Sequence, residues 1–466
     1  MRQFLFATVA LLSAPGAFAQ TVTATAARAY DFSQSIGVNA HLNSEWDTSY
    51  SDTANGGTAS FGSDPSKGAV IVNGRTYTNV SKIIAALRWI HVNHMRVTLP
   101  ADYVADRLKA VTQAIPNLRI DLQTSYSDTI ANQLGRAARA PGQVATFEGL
   151  NEAALNAEYE GLTGAAADGR YQGELYAAVA SWNAANKTSV PLLAPTVSGQ
   201  NWTDFGALSI YRWAATAANG HPYFDSAPPT QQIRYDLPYM IQDAPAGAPI
   251  HATETGNATN LLAPRGMGES TAAKRLLCAL LGFYSNHVVR TYVYELVDEA
   301  PQTPVLNDSS WASLEDHYGL FHPDWSPKIS ASMLNRQAAA LADFSPAAAT
   351  FSPGKMTYTM SGMPAGSYSL LMQKASGQFV LAIWAEPADL WHPATATTAG
   401  WQTNEPNVPV HVTFDRAFSA IGVTDPYAAS GPTVAGPGGV GQTVATNASS
   451  IGVTISDHPV YVQLTP

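Results

Sequence analysis

The chain has 466 residues, 46% of them hydrophobic, enough for one large domain with a smaller companion and a sizeable core. Only 13% are charged and the net charge is −10, which argues against nucleic-acid or anionic-membrane partners. Cys278 is the single cysteine, so no internal disulfide can form; its Leu/Ala-rich surroundings mark it as a small buried hydrophobe.

Residues 1–19 read as a signal peptide. Arg2 gives the basic start, residues 4–12 the apolar stretch, and Ala17-Phe18-Ala19 the small-x-small cleavage site, which makes Gln20 the first mature residue. No later apolar run is long enough to span a membrane. A large exported chain without disulfides fits a secreted or periplasmic protein.

From residue 20 onward, short β-prone runs alternate with helical spacing. Strands are expected at 35–42, 94–99, 118–122, 144–152, 190–195, 218–223, 249–254 and 288–295. Helices are expected at 81–90, 101–114, 127–138, 171–186, 208–218, 237–244, 270–287 and 329–341. The run 21–29 reads as a short edge strand, and 43–78 as a long first loop on the face where barrel active sites lie. Eight strand–helix units over roughly 300 residues predict a closed parallel (β/α)8 barrel spanning 20–343.

Helical spacing stops after about residue 343. The alternating runs 356–360, 368–373, 379–384, 410–414 and 460–464, separated by turn-rich segments, predict a C-terminal antiparallel β-sandwich at 344–466.

Chemistry concentrates at strand ends. The fourth strand closes on Asn151-Glu152, and the seventh on Glu254 followed by Thr255-Gly256. Two glutamates at the C-terminal ends of parallel strands are a common glycosidase arrangement on this barrel. Glu148 precedes Glu152 by four residues and points the same way from a strand. Arg96, at the end of the second strand, is a candidate cation beside Glu254.

The ordered set resembles clan A glycoside hydrolases, most closely family 39 and its bacterial relatives. The resemblance rests on Asn151-Glu152, on Glu254 in Thr-Glu-Thr-Gly, on His221-Pro222-Tyr223, on Tyr294-Glu295-Leu296-Val297-Asp298, and on residues 319–328 before the last helix. It covers most of 35–466, although Asn-Glu-Ala-Ala stands where the family commonly has Asn-Glu-Pro.

The resemblance implies Glu152 as acid/base and Glu254 as nucleophile of a retaining mechanism, with the pKa of Glu152 raised and Glu254 ionised. Asn151, Arg96, His221, Tyr223, Glu295 and His41 join as candidate substrate-binding or positioning residues. Glu295 is also the rival nucleophile. Trp46, Trp202 and Trp311 lie in expected top-face loops, where flat aromatic faces suit sugar rings.

The histidines show no metal-site spacing, and no phosphate loop, dinucleotide fingerprint or Gly-x-Ser-x-Gly elbow occurs. The expectation is therefore a carbohydrate-active enzyme without metal or cofactor. The alternatives are a non-catalytic carbohydrate-binding barrel and a transglycosylase, which would use the same two glutamates.

Overall fold

The structure, a computed structural model, describes residues 19–42, 79–125, 128–152, 158–197, 202–298, 314, 317–403, 407–428 and 442–466. The chain opens with β1 (Gln20–Thr25), β2 (Ala27–Arg28) and the short helix α1 (Ala29–Gln34). Strands and helices then alternate: β3 (Ile36–Asn39), α2 (Val80–Trp89), β4 (His94–Thr98), α3 (Asp102–Ala114), β5 (Arg119–Thr124), α4 (Ile130–Ala137) and β6 (Val144–Leu150). A small hairpin, β7 (Glu158–Tyr159) and β8 (Leu162–Thr163), leads into α5 (Gly164–Asn186). Next come β9 (Leu192–Leu193), α6 (Trp202–Leu208), β10 (Ala218–Gly220), α7 (Pro229–Met240), β11 (Ile250–Thr255), α8 (Glu269–Ser285), β12 (Val288–Val293) and α9 (Ile329–Leu341).

The parallel sheet runs β10-β11-β12-β3-β4-β5-β6-β9, and a bridge between Leu193 and Ala217 closes it into a (β/α)8 barrel. All eight expected strands are present in the expected order. Three helices differ from expectation: α5, expected at 171–186, starts already at Gly164. The run expected at 208–218 begins earlier, as α6, and ends in a 3-10 turn at Ser209–Ala214. The helix expected at 237–244 starts at Pro229; its polar first turn and internal Pro238 hide the apolar period.

The C-terminal strands are β13 (Lys355–Ser361), β14 (Ser367–Gln373), β15 (Phe379–Ala385), β16 (Trp391–His392), β17 (Trp401–Gln402), β18 (Val408–Thr424), β19 (Gln442–Ile455) and β20 (Val460–Thr465). All but β16 and β17, which pair with each other alone, form the antiparallel sandwich. The long β18 bends through it, pairing with β13 near Thr413 and with β20 near Gly422.

The first strand was expected within the barrel unit of 20–343. It lies instead at the edge of the sandwich sheet, antiparallel to β13 from Gln20–Met360 to Thr25–Lys355. Its alternation explains the position. Val22 and Ala24 enter the sandwich core, while Thr21 and Thr23 point out to meet the hydroxyls of Thr359 and Thr357 at 2.8 and 2.9 Å.

β14 and β15 are buried on both faces. Leu371, Leu381 and Ile383 fill the sandwich interior, whereas Leu370, Met372, Val380, Ala382 and Trp384 join Leu277, Leu281 and Leu334 of the barrel helices in one core. Accordingly α8 is buried almost all round. Polar clasps reinforce the contact: Glu386 accepts from the backbone N–H of Thr230 at 2.8 Å, capping α7 from outside, and Lys274 meets Asp457 at 2.7 Å. Among the described residues, no helix is long and apolar enough to cross a membrane.

Candidate active site

Arg96 organises the mouth of the barrel. It reaches inward from β4 and is 2% exposed. A guanidinium carries five N–H donors, and here all five have acceptors. Nε and Nη2 form a bidentate pair with Glu148 at 2.5 and 2.9 Å. Nη1 donates to Asn39 at 2.8 Å and to Glu254 Oε1 at 2.6 Å, and Nη2 also donates to Asn151 Oδ1 at 2.6 Å. Burial works against the charge, but Glu148 and Glu254 more than offset it and hold Arg96 cationic.

Glu148 is wholly buried and satisfied. Besides Arg96, its Oε1 accepts from Asn219 Nδ2 and Thr253 Oγ1, each at 3.0 Å. It therefore anchors Arg96 rather than facing the cleft. Asn39, Thr253 and Asn219 were not singled out from the sequence. The available signal was spacing: Asn39 and Asn219 each lie two residues before a candidate histidine, on the same face of their strands. Thr253 and Glu254 are adjacent, and the register shift between Ala252 and Thr255 lets both reach this network.

Glu254 sits at the end of β11 with a hydrogen bond on each oxygen: Oε1 from Arg96, and Oε2 from the Tyr223 hydroxyl at 2.9 Å. Gly256 follows because the chain turns hard against β12; a Cβ there would lie 2.5 Å from the Tyr294 carbonyl oxygen. Glu152 follows β6 in a turn with φ of 43°, its backbone N–H held by Thr196 Oγ1 at 2.8 Å. Its side chain is 28% exposed against 9% for Glu254, so Glu152 faces the opening and Glu254 the floor.

His221 joins the two carboxylates. Its Nδ1 is 3.0 Å from Glu152 Oε1 and 3.4 Å from Glu254 Oε2. One ligand atom from each of Glu152, His221 and Glu254 lies within 4.8 Å of the others. Distance alone would allow a divalent ion there. However, Glu152 already engages Nδ1, and Arg96 and Tyr223 hold the Glu254 oxygens, so the set suits proton handling better than chelation.

The electrostatics differ from expectation at one position. Burial raises the pKa of Glu152, but the hydrogen bond and charge of His221 outweigh it, and the carboxyl lies below its ordinary value. The raised group is His221: burial opposes its charge, yet Glu254 and Glu152 together lift it above 6.5. In the free site the proton thus rests on the imidazole, because one imidazolium between two carboxylates satisfies both.

An aromatic arc forms one wall. His41, Tyr294, Tyr318, Tyr223 and His221 meet edge to face in sequence, with centroid separations of 5.5, 5.5, 5.8 and 6.5 Å. Tyr294 and Tyr318 were not among the expected site residues. Burial drives His41 down to about 4, so it stays neutral through the physiological range. Glu295, the rival nucleophile, is wholly buried behind this wall, with Oε2 at 3.5 Å from His41 Nε2.

Asn151, Arg96, His221, Tyr223, Glu152 and Glu254 are thus brought together, with His41 and Glu295 at the margin. Trp202 starts α6, and its side chain lies outside what is described; Trp46 and Trp311 lie outside the described residues altogether.

No family model matches the sequence, and no curated protein matches it. Solved structures do match. A family 39 glycoside hydrolase from the gut symbiont Bacteroides cellulosilyticus WH2 aligns with TM-score 0.57 at 13% identity, over 93% of this chain and 82% of that one. The chain shares its fold. A family 39 β-xylosidase from Caulobacter crescentus aligns at TM-score 0.47 and 12% identity over 84% and 93% of the two chains. An endo-β1,6-glucanase aligns at 0.45 and 10% over 100% and 96%. The first of these agrees with the architecture that the resemblance implied.

Proposed function

We propose that the chain is an exported, retaining glycoside hydrolase. The observation that carries this reading is the placement of Glu152 and Glu254 at the mouth of the barrel, with carboxylate oxygens within 4.8 Å of each other. Retaining enzymes hold their two carboxyl groups about 5–5.5 Å apart, whereas inverting ones need roughly 6.5–9.5 Å to admit a water.

Glu254 is the nucleophile. Arg96 and Tyr223 keep its carboxylate oriented, and it attacks the anomeric carbon while the glycosidic C–O bond breaks. Glu152, nearer the opening, gives its proton to the departing oxygen. A water then attacks the glycosyl ester, Glu152 takes the water proton, and Glu254 leaves as carboxylate. Asn151 turns its carbonyl to Arg96, which frees its amide N–H groups to hold a sugar hydroxyl next to the anomeric centre. For the first step Glu152 must acquire the proton held by His221, and a sugar that displaces water from the pair favours the neutral acid.

Export is part of the reading: the first residue of β1 is Gln20, immediately after the expected cleavage point. The substrate class is an extracellular polysaccharide or its oligosaccharides. The test is the anomer first released, followed by proton NMR during hydrolysis of an aryl glycoside. The starting configuration is expected; the opposite anomer overturns the retaining assignment, and no cleavage of any glycan overturns the enzyme reading.

A further inference from the structure

The small sheet β16–β17 projects from the sandwich onto the barrel loop 256–268, which follows the Glu254 strand. Period-two alternation divides its side chains. Trp391 and Gln402 are cross-strand partners facing the barrel. The Trp391 indole N–H donates to the Gly266 carbonyl at 3.0 Å, and Gln402 accepts from Thr271 Oγ1 at 2.6 Å. The backbone N–H of Gly400 donates to the Leu261 carbonyl at 2.7 Å. Only glycine serves at 400, since a Cβ would lie 2.4 Å from the Trp391 ring. The hairpin is thus fixed to the loop at Leu261 and Gly266 and to α8 at Thr271.

His392 and Trp401 form the opposite, outward pair. Their rings stack with centroids 3.8 Å apart and 17° between planes, and His392 Nε2 stands 2.7 Å from Thr403 Oγ1. Trp401 is nevertheless 56% exposed. The imidazole covers one face of the indole, so the other face meets water. Loop 256–268 connects a strand to the following helix, which places it on the C-terminal face of the barrel with Glu152 and Glu254. The hairpin that carries Trp401 is held to this loop, so the sandwich contributes a one-sided indole beside the loop that follows Glu254.

We propose that Trp401 is a remote sugar subsite, its open face stacking on the C–H face of a pyranose in a chain that extends from the cleft. Rings of gluco or xylo configuration fit, because equatorial hydroxyls leave a flat apolar face of axial hydrogens. This rests on the glycosidase reading for the location of the scissile bond, but binding can be tested separately.

Affinity electrophoresis in gels containing soluble xylan, laminarin or pustulan compares wild type with Trp401→Ala, Trp401→Phe and Trp213→Ala, with thermal midpoints checking that each variant folds. Wild type is expected to be retarded in at least one gel. Trp401→Ala is expected to weaken that affinity about three- to tenfold, with partial recovery in Trp401→Phe. Trp213→Ala, which removes a 58% exposed indole from the barrel flank, keeps the wild-type retardation. Equal retardation of wild type and Trp401→Ala, or no retardation of wild type in any gel, overturns the proposal. Loss of retardation in Trp401→Ala without hydrolysis of any glycan by wild type leaves the platform standing and removes the glycosidase reading. Hydrolysis that vanishes in Glu254→Gln, together with normal retardation of Trp401→Ala, does the reverse.

Discussion

Nδ1 of His221 stands 3.0 Å from Oε1 of Glu152, and that contact decides where the proton rests in the free site. It lowers the carboxyl and, together with the larger effect of the Glu254 charge, raises the imidazole, so the pair keeps one shared proton to above pH 6.5, beyond the range of an isolated glutamic acid. Activity that needs this proton is lost as pH rises through the raised value. The alkaline limb of kcat/KM should therefore lie above pH 6.5 in the wild type and move to more acid pH in His221→Asn, where Glu152 titrates alone. An unmoved limb would show that the pair does not supply the catalytic proton.

Arg96 is expected to tolerate no substitution. Arg96→Met leaves the buried Glu148 without its bidentate partner and should cost about 3–5 kcal/mol, read by chemical denaturation. Arg96→Lys keeps the charge but cannot serve Glu148, Glu254, Asn39 and Asn151 at once, so it should lose most activity while staying folded better than Met. Equal stability of all three proteins would mean the network contributes little to the fold.

Asp243 offers a stability test away from the site. Its carboxylate is buried in the 3-10 turn after α7 with no hydrogen-bond partner among the described residues, and burial pushes it up to about 8. A raised acid contributes stability below its unfolded value, and loses it as pH rises from about 4 through about 8. Wild type should therefore lose Tm over this range relative to Asp243→Asn, which carries no titratable group there. Parallel Tm curves for the two proteins would contradict the burial argument.

The sandwich is expected to be indispensable. Residues 20–343 alone would expose the faces of α8 and α9 that Met372, Val380 and Trp384 cover, and would leave β1 without β13. Such a fragment should be insoluble or lack a cooperative thermal transition, whereas a soluble, cooperatively melting fragment would show that the barrel folds independently.

The barrel was legible because each strand is a short apolar run and each helix carries its own period. The pairing of β1 was not, since a strand's partner is a long-range property: Val22 and Ala24 would suit either domain. Glu152, Glu254, Arg96 and His221 were legible as polar residues at strand ends. Asn39, Asn219 and Thr253 were not, because a buried amide or hydroxyl gains meaning only once its acceptor, Glu148, is placed. The direction of the Glu152 shift was also hidden, since it depends on His221 reaching across from another strand. Tyr294 and Tyr318 were not singled out as site residues and are buried; their role as a wall comes from the edge-to-face chain linking them to His41 and His221.

The role of Glu254 is tested most directly by azide rescue of Glu254→Ala on an activated aryl glycoside that the wild type cleaves. Hydrolysis is expected to be lost in the variant, and turnover to be restored in azide with a glycosyl azide of inverted configuration as product. Hydrolysis that survives in Glu254→Ala, or an azide product of retained configuration, would contradict the assignment of Glu254 as the nucleophile.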